Sequence, residues 1–462
     1  MAKKEVNMLS GNIVKGLLTI SLPVMAMNVL NSLFQIVDMA ILKNYDTSNG
    51  MAVGAVGVCS TLITLISSTV IGISVGANIV IAKYIGRGSR RRVERSVGTS
   101  ILFSIVGGLI LAIIGIIFAE VFLKWNNCPD SLLKDAALYF RLYFVGVPLF
   151  MVYTFGAAIL RSAGDSRRPM NYAIICGVIK VTLTYLFVAV FKMSVTGVAI
   201  STIFSWVVPV VLYIIALLRN DGMVKLKIKH LRFYKQELKE MVTIGIPTSL
   251  QQMLYSVANV VISATVNSFG AAATTGISIA NTFDGILYNI SIAPSLAVIP
   301  YVSQNLGAGN MERVKKSVNR GILIASAFGI TFGLLSAGFS AQLSSIMSSD
   351  PEVIAYSQQK MILISSTYFI CGIQEIFGGA LKGLGKPTVH TITTLIFMCG
   401  IRFVWVYGIF PLFPKEHALT FLYMVWPVGW ILSLITLIAV YRPTVRKLTL
   451  KLKNPEPLEA KA

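Results

Sequence analysis

The chain has 462 residues, is 55% hydrophobic and only 13% charged, and carries a net charge of +21. A soluble protein of this length would carry roughly a quarter of its residues as charges, so a large soluble domain is excluded. Lysine and arginine gather in short loops between apolar stretches, where the positive-inside rule puts them, which argues against a nucleic-acid partner.

The start MAKKEVNMLSGNIVKG is too polar, and the apolar run behind it too long, for a cleaved secretory signal, so the first segment is expected to stay as a span. Segments near or above the ~20 residues that cross a bilayer lie at about 14–42, 51–83, 97–123, 136–160, 170–193 and 195–218. Six more lie at about 241–268, 271–304, 318–347, 353–381, 388–413 and 417–441. The expectation is an all-α membrane protein of twelve transmembrane helices. It divides into an N-terminal six-helix bundle (1–218), a cytoplasmic linker (219–240), a C-terminal six-helix bundle (241–441) and a basic tail (442–462).

The loops alternate in character. RGSRRRVER, RSAGDSRRP, the 219–240 linker, NMERVKKSVNR, KGLGKPTVH and the tail are basic, while the loops between them are short and nearly neutral. With twelve spans every basic loop falls on one side, which puts both termini in the cytoplasm of a protein of the cell membrane.

The chain also repeats itself. LRSAGDSRRP from Leu160 is echoed by LKGLGKPTVH from Leu381, and IGRGSRRRVERSV from Ile85 by LGAGNMERVKKSV from Leu306, both at an offset of 221 residues. TISLP ending at Pro23 matches TIGIP ending at Pro247 at an offset of 224. Three matches in order imply a duplicated six-helix unit. Because six is even, the halves insert in the same sense, related by a pseudo-two-fold along the membrane normal. In the first echo Gly164 and Gly385 read as helix stops, Arg161 and Lys382 as cations at helix C-termini, and Pro169 and Pro387 as starts of the next helix. GRG and GAG are not nucleotide loops, since no strand precedes them and no Lys-Ser/Thr pair follows.

Ionisable residues within spans need a partner or a wet cavity, because each costs roughly 2.5–3.5 kcal/mol on insertion scales. The candidates are Asp38, Lys180, Asp284, Glu375 and Arg402. Lys180 lies about ten residues into its segment, ~15 Å at 1.5 Å per residue and too deep to snorkel. Arg402 falls within one residue of the repeat-equivalent position. Glu375 lies seven residues before Lys382 and could pair with it near the cytoplasmic end. Polar stripes at helical spacing add Asn28, Asn31 and Gln35, then Gln251, Gln252, Tyr255 and Asn259, then Asn281, Asp284, Tyr288 and Asn289. Asn31, Gln35, Gln252, Tyr255, Asn259, Asn281, Asp284, Tyr288 and Arg402 are the expected walls of a hydrated substrate cavity. The five cysteines and three histidines stand singly, so neither a disulfide framework nor a metal site is expected.

With SLPVMAMNVLNSLFQIVDMAIL as its first helix, YIGRGSRRRVERSV in the second loop, LRSAGD closing the fourth helix and TGVAISTIFSW opening the sixth, the chain resembles the multidrug and toxic compound extrusion (MATE) family. The resemblance covers nearly the whole chain. It implies export of small organic, drug-like compounds by alternating access, driven by inward sodium or protons, with Asp38 as the acidic residue of the first helix. It also marks departures. Where the family commonly carries asparagine and then aspartate in the fifth helix, this chain has Lys180 and Thr184, while Thr202 stands where a family threonine is expected. The carboxylates that other members use in the seventh helix are missing. Asp38, Lys180, Thr184 and Thr202 are therefore the expected coupling-ion site, with a proton as the ion.

No HExxH or converging acid/base set marks an enzyme, and no loop is long enough to hold the nucleotide module of a primary pump. A cation-coupled antiporter acting as a monomer on small molecules, with no cofactor beyond the ion gradient, is the resulting expectation. The alternative is an exporter or flippase of an anionic or lipid-like substrate held by Lys180 and Arg402.

Overall fold

The computed structural model describes residues 6–45, 51–126, 128–412 and 418–453, and no strand occurs among them. The first half runs α1 (Ile13–Tyr45), α2 (Met51–Gly86), α3 (Arg90–Ile117), α4 (Ala119–Trp125), α5 (Asp130–Ser162), α6 (Arg167–Thr184) and α7 (Ser194–Leu218). The second runs α8 (Lys235–Asn267), α9 (Ala271–Gly307), α10 (Met311–Gly338), α11 (Ser340–Ser345), α12 (Pro351–Ser365), α13 (Tyr368–Gly383), α14 (Pro387–Thr394), α15 (Ile401–Val404), α16 (Ala418–Tyr423) and α17 (Val425–Lys453).

Among the described residues ten helices are long and apolar enough to cross a membrane, and α12 with α13, bent by 47°, makes an eleventh if the pair is one span. The place of the seventh expected span is held by α8, whose 33 residues extend ~50 Å. Its charged start KQELKE and polar stripe make it less apolar than the other passes.

The duplication shows in local geometry. α5 ends at Ser162 and α13 at Gly383; the next-but-one residues, Gly164 and Gly385, have φ of 87° and 77°, the left-handed region that favours glycine. Lys386 N–H donates to the Leu381 carbonyl and Gly385 N–H to that of Lys382, closing a Schellman motif. Asp165 N–H to Leu160 and Gly164 N–H to Arg161 close the same motif in the first half. Pro387 opens α14, and Pro169 lies in the first turn of α6.

By backbone proximity the chain forms two compact units. The first comprises residues up to Val6, Leu22–Ile81 and Ser89–Met253; the second comprises Asn7–Ser21, Ala82–Gly88 and Leu254 onward. Within the first, the linker packs on the start of α3: a Cβ on Gly98 would come within 2.0 Å of the His230 carbonyl oxygen. Thr99 Oγ1 donates to the Arg232 carbonyl at 3.2 Å and accepts from Tyr234 N–H at 3.3 Å. Burial lowers the His230 imidazole below its ordinary pKa, so the ring is neutral at pH 7. The buried Glu94 carboxylate is then balanced by Lys227 at 2.6 Å and Arg90 at 3.2 Å. Within the second unit, Arg313 secures the segment before α1, donating through Nε to Met8 O at 2.9 Å and through Nη2 to Ser10 O at 2.6 Å.

Candidate functional site

In the first unit α1 and α6 approach closely at Gly177, where a Cβ would lie 1.8 Å from the Phe34 ring. Phe34 is one turn before Asp38, and Gly177 is one turn before Lys180. The contact therefore brings the two charges level. Lys180 Nζ stands 2.6 Å from Asp38 Oδ2. Asp38 is 5% exposed, so the ammonium supplies what water otherwise would. One turn past Lys180, the buried Thr184 hydroxyl lies 2.8 Å from that of Ser201 on α7. Thr202 donates back to the Val198 carbonyl at 2.8 Å. Thr184 thus ties α6 to α7, Thr202 bonds within α7, and the ion pair itself joins α1 to α6. Asn31 and Gln35 are exposed on α1. A π-helical stretch, Tyr185–Val190, follows α6, and another, Trp405–Ile409, follows α15. Such turns widen a helix by one residue and recur at functional sites.

The second unit encloses a cavity of ≈ 340 Å³. Another glycine sets its width: a Cβ on Gly276 would come 2.4 Å from the Val353 carbonyl oxygen, so α9 and α12 lie close. About two turns further along each helix, Lys360 Nζ pairs with Asp284 Oδ2 at 2.8 Å and hydrogen-bonds Asn281 Oδ1. Tyr255, Asn259, Asn281, Asp284 and Tyr288 all line the cavity, as their helical spacing implied. Lys360, Tyr368, Tyr423 and Trp426 join them. Gln252 is half-buried on α8 and does not line it. Arg402 lies one layer behind the wall. Its Nη1 donates to Asn259 Oδ1 at 2.7 Å, and its guanidinium is 5.1 Å from the Trp426 ring and 5.5 Å from that of Tyr255.

These contacts bear on two readings of the sequence. Lys180, which the alternative reading assigns to an anionic substrate, is engaged by Asp38. Glu375 Oε1 lies 3.8 Å from Nε2 of the buried His390, while Lys382, the cation that the sequence offered as its partner, acts on it from beyond ion-pair distance. That imidazole fills the space over Gly378, where a Cβ would come within 2.1 Å of the ring, and the cluster lies outside the cavity wall. Lys360 is the charged cavity residue that the sequence reading passed over, along with Tyr368, Tyr423 and Trp426.

The MatE family profile matches residues 23–186 and 247–407, one stretch in each repeat. The chain is 25% identical over 390 residues to the probable multidrug resistance protein YoeA of Bacillus subtilis, covering 82% of this chain and 83% of the relative. It is 25% identical over 399 residues to a protein of Shewanella oneidensis named as an FAD transporter, covering 85% and 87%. An outward-facing multidrug resistance MATE transporter of the MOP superfamily superposes with a TM-score of 0.89 at 18% identity, over 97% of this chain and 100% of that one. This last likeness bears on the fold alone. Two repeats of the matched family, and helices long and apolar enough to span, make the chain a multi-pass membrane transporter belonging to the MatE family.

Proposed function

We propose that this protein is a secondary active exporter of small organic compounds in the cell membrane, working by alternating access and driven by inward protons through Asp38. The observation that carries the reading is the 2.6 Å ion pair between Asp38 and Lys180 at a buried site. In the family that the chain resembles, a neutral residue near the Lys180 position helps to hold the coupling cation. Here a tethered ammonium stands beside the carboxylate, which supports a site where sodium is repelled and only the protonation of Asp38 can switch the charge. A proton on Asp38 leaves Lys180 without its counter-charge inside the membrane, a cost that biases the first unit toward a second arrangement. The substrates named for relatives, drugs and FAD, are small organic molecules, in keeping with the proposed cargo class.

The test is flux in proteoliposomes loaded with ethidium or 2-naphthoate, under a proton gradient and, separately, a sodium gradient. Efflux should follow the proton gradient and be lost in Asp38→Asn, while equilibrium binding of the same compound persists. Undiminished efflux by Asp38→Asn, or efflux driven by sodium alone, would overturn the reading.

A further inference from the structure

The cavity of the second unit is surrounded by more positive charge than its carboxylate neutralises. Lys360 and Arg402 are each 1% exposed. Among the described residues Asp284 is the one carboxylate within ion-pair distance of either, and it takes Lys360. Arg402 is met by the Asn259 amide oxygen and the faces of Tyr255 and Trp426. An amide dipole and aromatic quadrupoles stabilise a guanidinium but leave its charge whole. Glu375, the buried acid of this unit, does not line the cavity, and the charge it sets near Tyr255 and Tyr288 is offset by the buried Lys382, which attracts it. The site therefore carries one net positive charge, buried where Coulomb forces are poorly screened.

Its other surfaces are aromatic. Tyr255 and Tyr288 stack with centroids 5.7 Å apart and planes 22° apart. The Trp426 ring lies 5.5 Å from Lys360 Nζ and 5.1 Å from the Arg402 guanidinium, so it adjoins both cations. A volume of ≈ 340 Å³ is at the lower end of the ~300–1,000 Å³ typical of small-molecule sites, which suits a compact two-ring ligand.

We infer that this cavity binds a small aromatic organic anion, its acidic group drawn to Lys360 and the uncompensated charge of Arg402, its ring packed on Tyr255, Tyr288 and Trp426. This names the cargo class and rests on the reading of the protein as an exporter. An organic cation would have to take Asp284 from Lys360 and strand an ammonium in the membrane. An anion adds the missing charge.

The test uses purified full-length protein, with no gradient, and three probes that share one ring. These are 2-naphthoate, neutral 2-naphthamide and 2-naphthylmethylammonium, compared by equilibrium dialysis. Naphthoate should bind about tenfold tighter than the amide, the effect of one charge-assisted contact, and the ammonium should bind most weakly. Two variants move the affinity in opposite directions. Arg402→Gln should weaken naphthoate binding toward that of the amide. Asp284→Asn, which removes the competing carboxylate, should tighten it several-fold. The second variant keeps the inference open to refutation if the first does not fold. Equal binding of naphthoate and naphthamide by the wild type, or weaker naphthoate binding by Asp284→Asn, would overturn it. Because binding is read without a gradient, that result would leave proton coupling at Asp38 untouched, and a failure of coupling would leave this result standing.

Discussion

At the scale of single residues the two units solve the same difficulty, a charge inside a membrane, in different ways. Asp38 and Lys180 neutralise each other, and removing one partner of such a buried pair typically costs about 3–5 kcal/mol, while neutralising both costs little. The partial exposure of Lys180 places the loss at the lower end. Asp38→Asn and Lys180→Gln should each lower the unfolding temperature in detergent, and the double variant should recover most of the loss; additive losses would show that the two are not coupled. Sodium should stabilise Lys180→Asn but not the wild type. This pair was legible in the sequence, because Lys180 is too deep to snorkel and Asp38 stands in a helix that resembles the family's first. Lys360 was not. It lies seven residues into the expected segment 353–381, a depth from which a lysine ordinarily reaches the interface. Its burial follows from the close packing of α9 on α12 at Gly276, a neighbour relation that periodicity within one helix cannot carry.

Among helices, the duplication that the sequence showed in its loops continues where no motif marks it. α3 breaks into α4 at Phe118 and α10 breaks into α11 at Phe339, at the same 221-residue offset and with nearly the same backbone angles, φ −96° and −99°. The π-helical stretches after α6 and α15 likewise stand at equivalent places. Helix breaks of this kind depend on hydrogen-bond register, not on Pro or Gly, so apolar patterning reads straight through them. The helix stops at Gly164 and Gly385, by contrast, were readable because only glycine takes that conformation cheaply. The linker is the element whose position most depends on one hydrogen atom. With the His230 carbonyl sitting on Gly98, even Gly98→Ala places a methyl at 2.0 Å from backbone, so the linker must lift. The side chains of Lys229 and Arg232 are exposed already, so that variant should act through the freed backbone and speed cleavage by trypsin there over the wild type. Equal cleavage rates would mean that the linker is not docked in solution.

For the whole molecule, the distribution of charge decides orientation. Basic loops recur at 87–95, 161–169, 219–240, 310–320 and 382–390, two passes apart on the expected count of twelve, and the cost of carrying cation-rich loops across the membrane is the ground for proposing that they are cytoplasmic. On that proposal the neutral loops between them, such as the one holding Ser349, face outward. Interior cysteines offer little background to a labelling experiment, since Cys59, Cys128, Cys176, Cys371 and Cys399 are all buried. Ser349 is exposed and Ser89 half-buried in its loop. In intact cells an impermeant maleimide should therefore label Ser349→Cys at once, and should label Ser89→Cys only after the membrane is opened. The two positions are 260 residues apart and lie in different repeats, so the pair tests the number of passes between them as well as the side on which each lies. An even number would put both on one face, so labelling of both from outside would refute the twelve-pass count, and labelling of Ser89→Cys from outside would refute the cytoplasmic placement of the termini.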